Sequence, residues 1–206
     1  IMAYDYSRDA SGNIIVNDAG VPVRGALTPM GSVLPKSYGG LNNQITYKGV
    51  ALAFLIDGKF GNKVLSATNH YTVLNGLNKM TLEGREGGVT FDGVHADGSV
   101  NEESTPAQDF YRGYVNNVSK LNVLDGSFIK LRQVTLGYTI PQKVFGNFPI
   151  ESVSLSFVAR NLLVLMSNLD NIDPEAGFSS NIRYAGIEGN SLPSTRSYGF
   201  NLNVKF

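Results

Sequence analysis

The 206-residue chain contains no cysteine and no tryptophan. Without cysteine there are no disulfide frameworks, thiolate metal sites or cysteine nucleophiles, while the compartment stays open. Charge of one sign is lacking too: 17 Lys plus Arg balance 17 Asp plus Glu, leaving no basic field to hold nucleic acid or an anionic surface. The chain starts at Ile1 with no basic segment, apolar leader core or small-residue cleavage site, so no targeting peptide is read there. The longest wholly apolar run, 50–56, has seven residues, against about 20 for a spanning helix. A helical membrane protein is therefore excluded. A membrane barrel, whose tilted strands need only about 9 to 11 residues each, is not. What is plentiful is Gly, at 23, with 10 Tyr, 11 Phe and a scatter of Asn. That mixture suits many strands and turns better than long helices.

Along the chain, periodicity comes and goes. Residues 1–36 are dense in turn formers (Gly12-Asn13, Gly20-Val21-Pro22, Pro29, Gly31, Pro35) and predict loop with at most one small hairpin, 4–9 against 13–17. From Leu41, period-two alternation appears: Leu41, Asn43, Ile45 and Tyr47 face one way, Asn42, Gln44, Thr46 and Lys48 the other. A short connection at 48–50 leads into a second strand over 51–66, making a hairpin. Periodicity is then lost over 67–126, returns at Ser127, and needs a bulge near Arg132 to bring Ile129 and Leu131 into phase with Val134, Leu136, Tyr138 and Ile140. Pro141 and Pro149 bracket a turn with a short helical piece over 142–145. A strand over 151–163 and a second long loop to about 194 follow. At the end, Tyr198, Phe200, Leu202, Val204 and Phe206 alternate with Gly199, Asn201, Asn203 and Lys205 without exception.

The fold expected is all-β, with antiparallel strands at about 41–48, 51–66, 127–140, 151–163 and 195–206 and loops at about 1–38, 67–126 and 164–194. A β-sandwich also alternates, so further features are needed to choose. The wet faces carry Asn, Gln, Ser, Thr and Gly in place of the Lys and Glu that usually cover a soluble sheet. Connections alternate between short (48–50, 140–151) and long (67–126, 166–194), as in outer-membrane barrels with short periplasmic turns and long outer loops. The last strand carries aromatic rings at both ends, Tyr198 and Phe206. In this reading the loops are extracellular and the C-terminus is periplasmic. Five strands cannot close, since the smallest such barrels have eight and an open edge in hydrocarbon leaves backbone groups unsatisfied. The remaining strands must come from elsewhere.

Several ordered stretches carry a family resemblance. Ser127-Phe128-Ile129-Lys130-Leu131-Arg132-Gln133-Val134-Thr135-Leu136-Gly137-Tyr138-Thr139-Ile140-Pro141, Ala159-Arg160-Asn161-Leu162, Ile172-Asp173-Pro174-Glu175 and the run from Pro193 to Phe206 resemble the last segments of the SusC/RagA-type TonB-dependent outer-membrane transporters. The resemblance extends upstream through Pro35, Gly39-Gly40-Leu41-Asn42-Asn43, Tyr47-Lys48 and Gly84-Arg85-Glu86, and so covers nearly the whole chain. It implies strands 18 to 22 of a 22-stranded barrel, a plug and a carboxypeptidase-like domain absent from this chain, and coupling to TonB through that absent part. It also implies a SusD-like lipoprotein lid and import of oligosaccharide or peptide. By the same resemblance the final strand, through Tyr198, Phe200, Leu202, Val204 and Phe206, is the signal read by the outer-membrane assembly machinery. The alternatives are a non-transport barrel, adhesin or anchor, and a soluble all-β binding module.

Other candidates weigh less. His70 and His95 lack metal-ligand spacing, and no nucleophile-elbow motif accompanies them, so solvated loop residues are the simpler reading and no enzyme is expected. Asp170, Asp173 and Glu175 set three carboxylates within six residues, enough to gather oxygen ligands for Ca²⁺, but without the EF-hand pattern. Loop solvation, or a turn at Asp173-Pro174, is the simpler reading there, and no other cofactor is expected. Gly84-Arg85-Glu86-Gly87-Gly88 is weighed as an anion-binding nest against a plain turn, and the turn is preferred. Arg160, Lys205, Asn201 and Asn203 are expected to face the lumen, with structural pairing favoured for the two cations. Phe110, Tyr111 and Tyr114 are read either as rings that stack on sugar or touch a lid, or as loop packing.

Overall fold

A computed structural model of the chain describes every residue except Asn147 and Phe178, and only the backbone of Ile182. Asn147 and Phe178, in the connections expected at 140–151 and 166–194, lie outside the described residues. In chain order the elements are β1 (Met2–Tyr6), β2 (Arg24–Pro29), β3 (Ser37–Tyr47), β4 (Val50–Phe60), β5 (Lys63–Ser66), α1 (Ala67–Leu74) and α2 (Ala107–Asn117). They continue with β6 (Val123–Asp125), β7 (Phe128–Pro141), β8 (Ser152–Ser167), β9 (Ile187–Glu188) and β10 (Ser197–Lys205). They fall into two compact units, one of Pro35–Gly61, Gly126–Glu175 and Pro193–Phe206, the other of Ile1–Leu34, Asn62–Asp125 and Ala176–Leu192.

The first unit is a five-stranded antiparallel sheet in the order β10-β8-β7-β4-β3. Among the described residues, β10 and β3 each have one neighbour, so the sheet is open at both edges. The β3–β4 hairpin closes through Lys48 and Gly49, both with positive φ (47° and 86°), the backbone of a two-residue turn that matches strand twist. Gly49 has a second reason to be glycine: a Cβ there would lie 2.8 Å from the Thr139 carbonyl oxygen. The β7–β8 connection passes through a 3₁₀ turn at Gln142–Val144, and both short connections lie at one end of the sheet, where the Thr139 N–H donates to the Gly49 carbonyl at 2.8 Å. The long excursions leave from the opposite end.

The expected strand over 51–66 is two strands. At Gly61 (φ 79°) the chain leaves the sheet, and β5 beyond it pairs with β6 and, in parallel, with β9. Alternation alone runs through this break because Val64 keeps the phase; only the left-handed backbone at Gly61 marks it.

The second unit replaces most of what was expected to be irregular loop. β1 pairs with β2, and the small turn at 9–13 forms as anticipated, with the Asp9 carboxylate accepting the Ser11 and Asn13 N–H groups at 2.8 Å each. α1 begins at Ser66, whose hydroxyl accepts the Asn69 N–H at 2.9 Å. Glu188 is buried beneath that turn, accepting from Ser66 Oγ at 2.6 Å, Thr68 Oγ1 at 2.7 Å and the Asn190 N–H at 2.7 Å. Burial of Glu188 on its own favours the neutral acid, but these donors, with the Thr68 N–H, hold the carboxyl below its ordinary range. α2 buries Phe110, Tyr111, Tyr114 and Val115, which form a core with Val21, Val73 and Val118. Phe91 packs on Phe110 and Tyr114 at 5.9 and 5.6 Å between ring centroids, and the Tyr6 and Tyr114 hydroxyls share a 2.5 Å hydrogen bond. The three α2 aromatics are therefore core, which answers the choice left open by the sequence.

Phe110 is 2% exposed, so Phe110→Ala is expected to cost this unit about 3–5 kcal/mol. Limited proteolysis of the intact protein should then cut residues 62–125 faster while leaving the five-stranded sheet resistant; unchanged cleavage there would refute the core assignment.

Candidate functional site

The register of the five strands sorts side chains by medium. On one face Tyr198, Phe200, Leu202 and Val204 stand opposite Ala159, Phe157, Leu155 and Val153, which in turn stand opposite Val134, Leu136, Tyr138 and Ile140. The row continues through Phe54, Leu52 and Val50 to Ile45 and Tyr47. The large side chains of the row are mostly uncovered: Phe200 is 78% exposed, Leu202 64%, Ile45 57% and Leu136 51%. Phe157 is half-buried only because Tyr198 and Phe200 lie over it at 6.1 and 5.3 Å. A soluble sandwich would bury such a face, since large contiguous apolar patches are rare on water-exposed surfaces. The other face presents Asn42, Gln44, Gln133, Thr135, Ser154, Ser156, Asn201 and Asn203 around small residues. Ala51, Ala53 and Gly137 floor a trough of about 270 Å³ on that wet side.

The bulge falls at Arg132. Gln133 pairs with Leu55 and Leu131 with Ile56, so Arg132 has no partner on β4, and β8 is irregular at the same level. The extra residue returns Ile129 and Leu131 to the apolar row and turns Lys130 and Phe128 to the wet side. There a charge cluster assembles. Lys130 is 3% exposed and donates to Asp173 Oδ1 at 2.6 Å and Glu175 Oε2 at 2.9 Å. Arg132 donates from Nε to both Asp57 oxygens at 2.8 Å and from its terminal nitrogens to Glu175. Lys59, Lys130 and Arg132 all lie within 6 Å of the centre of the buried Phe128 ring, at 5.3, 5.5 and 5.9 Å. Asp173 also accepts from the Ser194 N–H at 2.8 Å and from the Ser194 hydroxyl, tying the chain that leaves β8 to the chain that enters β10. Burial alone favours a neutral Asp173, but Lys130 and Ser194 overcome it and hold the carboxyl well below the usual carboxylate range. Glu175 is lowered in the same way, burial being outweighed by Arg132 and Lys130.

Solved structures of the RagAB peptide importer share this fold. The open-open state matches 100% of this chain and 22% of that chain with a TM-score of 0.67 at 20% identity, and the closed-closed state matches 99% and 22% with 0.62 at 19%. No family model matches the chain. The TonB-dependent receptor P26 of Formosa agariphila is 31% identical over 192 residues, covering 86% of this chain. Over most of its length the chain is thus similar to one segment of TonB-dependent receptors. The receptor P3 of the same organism is 25% identical over 182 residues, again 86% of this chain. The chain spans only 18% and 17% of the lengths of these two relatives. TonB-dependent receptors are outer-membrane proteins and are not enzymes.

Within this receptor segment the predicted residues separate clearly. Arg160 lies on the wet side and donates to Gln133 Oε1 at 3.3 Å, and Lys205 pairs with Glu151 at 2.5 Å. Asn201 and Asn203 stand opposite Ser156 and Ser154. The carboxylates of Asp173 and Glu175 meet side-chain cations, Asp170 does not join them, and among the described residues no group of three or more His, Asp and Glu is placed to hold a metal. His70 is a half-buried residue of α1, not of an irregular loop, with Nδ1 3.4 Å from Asn122 Nδ2. The Gly84–Gly88 stretch lines a cleft of about 810 Å³ with Gly76, Gln108, Tyr111 and Arg112. Arg85 is spent there on backbone, donating to Thr81 O at 2.9 Å and Gly76 O at 2.6 Å, so the stretch is a turn stapled by its own arginine. The residues that the sequence reading missed are Lys130, Arg132, Asp57 and Ser194. The only available signal was cations on a strand whose wet side otherwise avoids charge.

Because both folded-state carboxyls are depressed, their contribution is complete above the ordinary carboxylate range and is lost progressively as pH falls from there through their lower folded-state values. The thermal midpoint of the detergent-solubilised receptor is expected to stay level from neutral pH to about pH 5 and to fall below about pH 4. That fall should shrink in Asp173→Asn/Glu175→Gln; a fall of the same size in the double variant would place the acid sensitivity elsewhere.

Proposed function

We propose that this chain supplies five adjacent strands to an outer-membrane barrel that imports oligosaccharide or peptide together with a SusD-like surface lipoprotein. The observation that carries this reading is an open-edged sheet with one uncovered apolar face and one small, polar face. The apolar face suits hydrocarbon, and the open edges at β3 and β10 suit further strands of the same barrel, since a bilayer tolerates no unpaired edge. The polar face then lines the interior, where Arg160, Lys205, Asn201 and Asn203 face the lumen or plug. The RagAB structures are of a peptide importer, which makes peptides the first solute class to test. With strand directions alternating, the short connections and the end of β10 lie on the periplasmic side, the long excursions lie outside, and the strands correspond to the last five of a 22-stranded barrel. TonB and the plug act through parts of the receptor beyond this segment.

The medium on each face can be read with a lysine probe in the full-length receptor. Leu136→Lys is expected to cost about 2–4 kcal/mol if it lies near the midplane and to lower the amount of heat-modifiable folded barrel, whereas the neighbouring Thr135→Lys should be tolerated. Equal tolerance at both positions would reject the lipid-facing assignment. For the assembly signal, Phe206→Ala or removal of β10 is expected to block membrane insertion, measured as surface-exposed receptor on intact cells; normal surface levels would defeat that role for Tyr198, Phe200, Leu202, Val204 and Phe206.

A further inference from the structure

The charge cluster has a geometry that simple solvation of a loop does not require. It gathers Lys59, Lys130 and Arg132 against Asp57, Asp173 and Glu175, three cations and three anions, around one buried ring. Four of these groups belong to β4 and β7, and only Asp173 and Glu175 come from the segment that follows β8. That segment, residues 168–175, is pinned where it leaves β8, by the Asn168 N–H on the Ser127 carbonyl at 3.1 Å and by buried Leu169, whose N–H donates to Ser167 Oγ at 3.0 Å, while Asp170 and Asn171 are exposed ahead of buried Pro174. Asn171 sits in a left-handed backbone (φ 61°), a conformation costly for a residue with a side chain. Below the segment lies a cavity of about 400 Å³, lined by Lys130, Leu163, Val164, Ile172, Asp173 and Ser194 among others. The segment is thus fastened at both ends and borders unfilled space between them.

We propose that residues 168–175 form a strap latched to the wet side of the sheet by Lys130 and Arg132, and that releasing Asp173 and Glu175 lets the strap lift and unties Asp173 from Ser194. Two states are physically accessible. In the closed state Lys130 is desolvated and paired with two carboxylates. In the open state Lys130 is hydrated, with Asp57 opposite it in register, and Arg132 keeps its fork on Asp57. A desolvated ion pair adds little net stability against its hydrated partners, yet it fixes geometry sharply and is lost abruptly when one partner is removed. If the wet side lines the solute path, as proposed above, the strap is part of its wall; the latch itself rests on the geometry alone.

The test uses full-length receptor in isolated outer membranes carrying Leu169→Cys, a strap position that is 5% exposed in the closed state, with receptor lacking the added cysteine as the blank. At neutral pH a maleimide should modify this thiol slowly. In Asp173→Asn/Glu175→Gln it should react about tenfold faster or more, as expected when charge-assisted hydrogen bonds are lost, with the folded-barrel gel mobility unchanged. Lys130→Met should behave as the double variant does, and Lys130→Arg should stay slow. The proposal is overturned by less than about a threefold change in the neutralised variants. It is also overturned by parent labelling as fast as in urea-unfolded receptor, or by loss of folded-barrel mobility in every variant, which would make the cluster a folding requirement. None of these readouts depends on solute import, so failure of the latch and failure of the transport reading are separable.

Discussion

The constraint on which this structure turns is a mismatch between a sheet and water. The five-stranded unit buries almost no side chain of its own sheet; Phe128, Lys130 and Ala159 are the strand residues that reach full burial among those described. Its apolar row runs from β10 to β3, and most of its large side chains are exposed. In a soluble domain, burial of such residues supplies most of the favourable folding term. Here that term is unspent in the isolated sheet, and in the barrel proposed above it is supplied by hydrocarbon and by neighbouring strands. In that proposal, period-two alternation and cross-strand pairs of like polarity follow from serving two media at once, and the wet side pairs its charges among themselves.

The second unit obeys the opposite rule. Its helices and short strands enclose a conventional core of α2 aromatics and valines, with buried polar groups such as Glu188 fully engaged by donors. A long excursion from a sheet that lacks a core of its own can hold a fixed shape only by bringing one with it. This explains why residues that connect strands are better ordered by packing than their Gly-rich sequence leads one to expect.

Legibility in the sequence tracked how local the physics was. The last strand reads directly, because Tyr198 through Phe206 alternate without interruption and register follows from alternation. The bulge at Arg132 was legible because it corrects a phase error visible in one strand. The overlong 51–66 strand was misread because Val64 preserves the alternation past Gly61. In α2, Phe110, Tyr114 and Val118 with Tyr111 and Val115 do mark a helical stripe, but Gly113 and the surrounding Gly-rich sequence obscured it. The charge cluster was illegible in principle: Lys130 and Asp173 are 43 residues apart, and nothing in either neighbourhood names the other.

The unpaired residue at Arg132 also restricts how this strand can change length. Below it, Ile129 and Leu131 are in step with the lipid-side row only because one residue is counted out of the ladder. Inserting or losing a single residue between there and Phe128 would exchange Ile129 and Leu131 with Lys130 and the cluster's Phe128 between the two faces, whereas a change of two would pass unnoticed by the phase. Relatives of this segment are therefore expected to vary in β7 by even steps, or to lose the kink and one residue together.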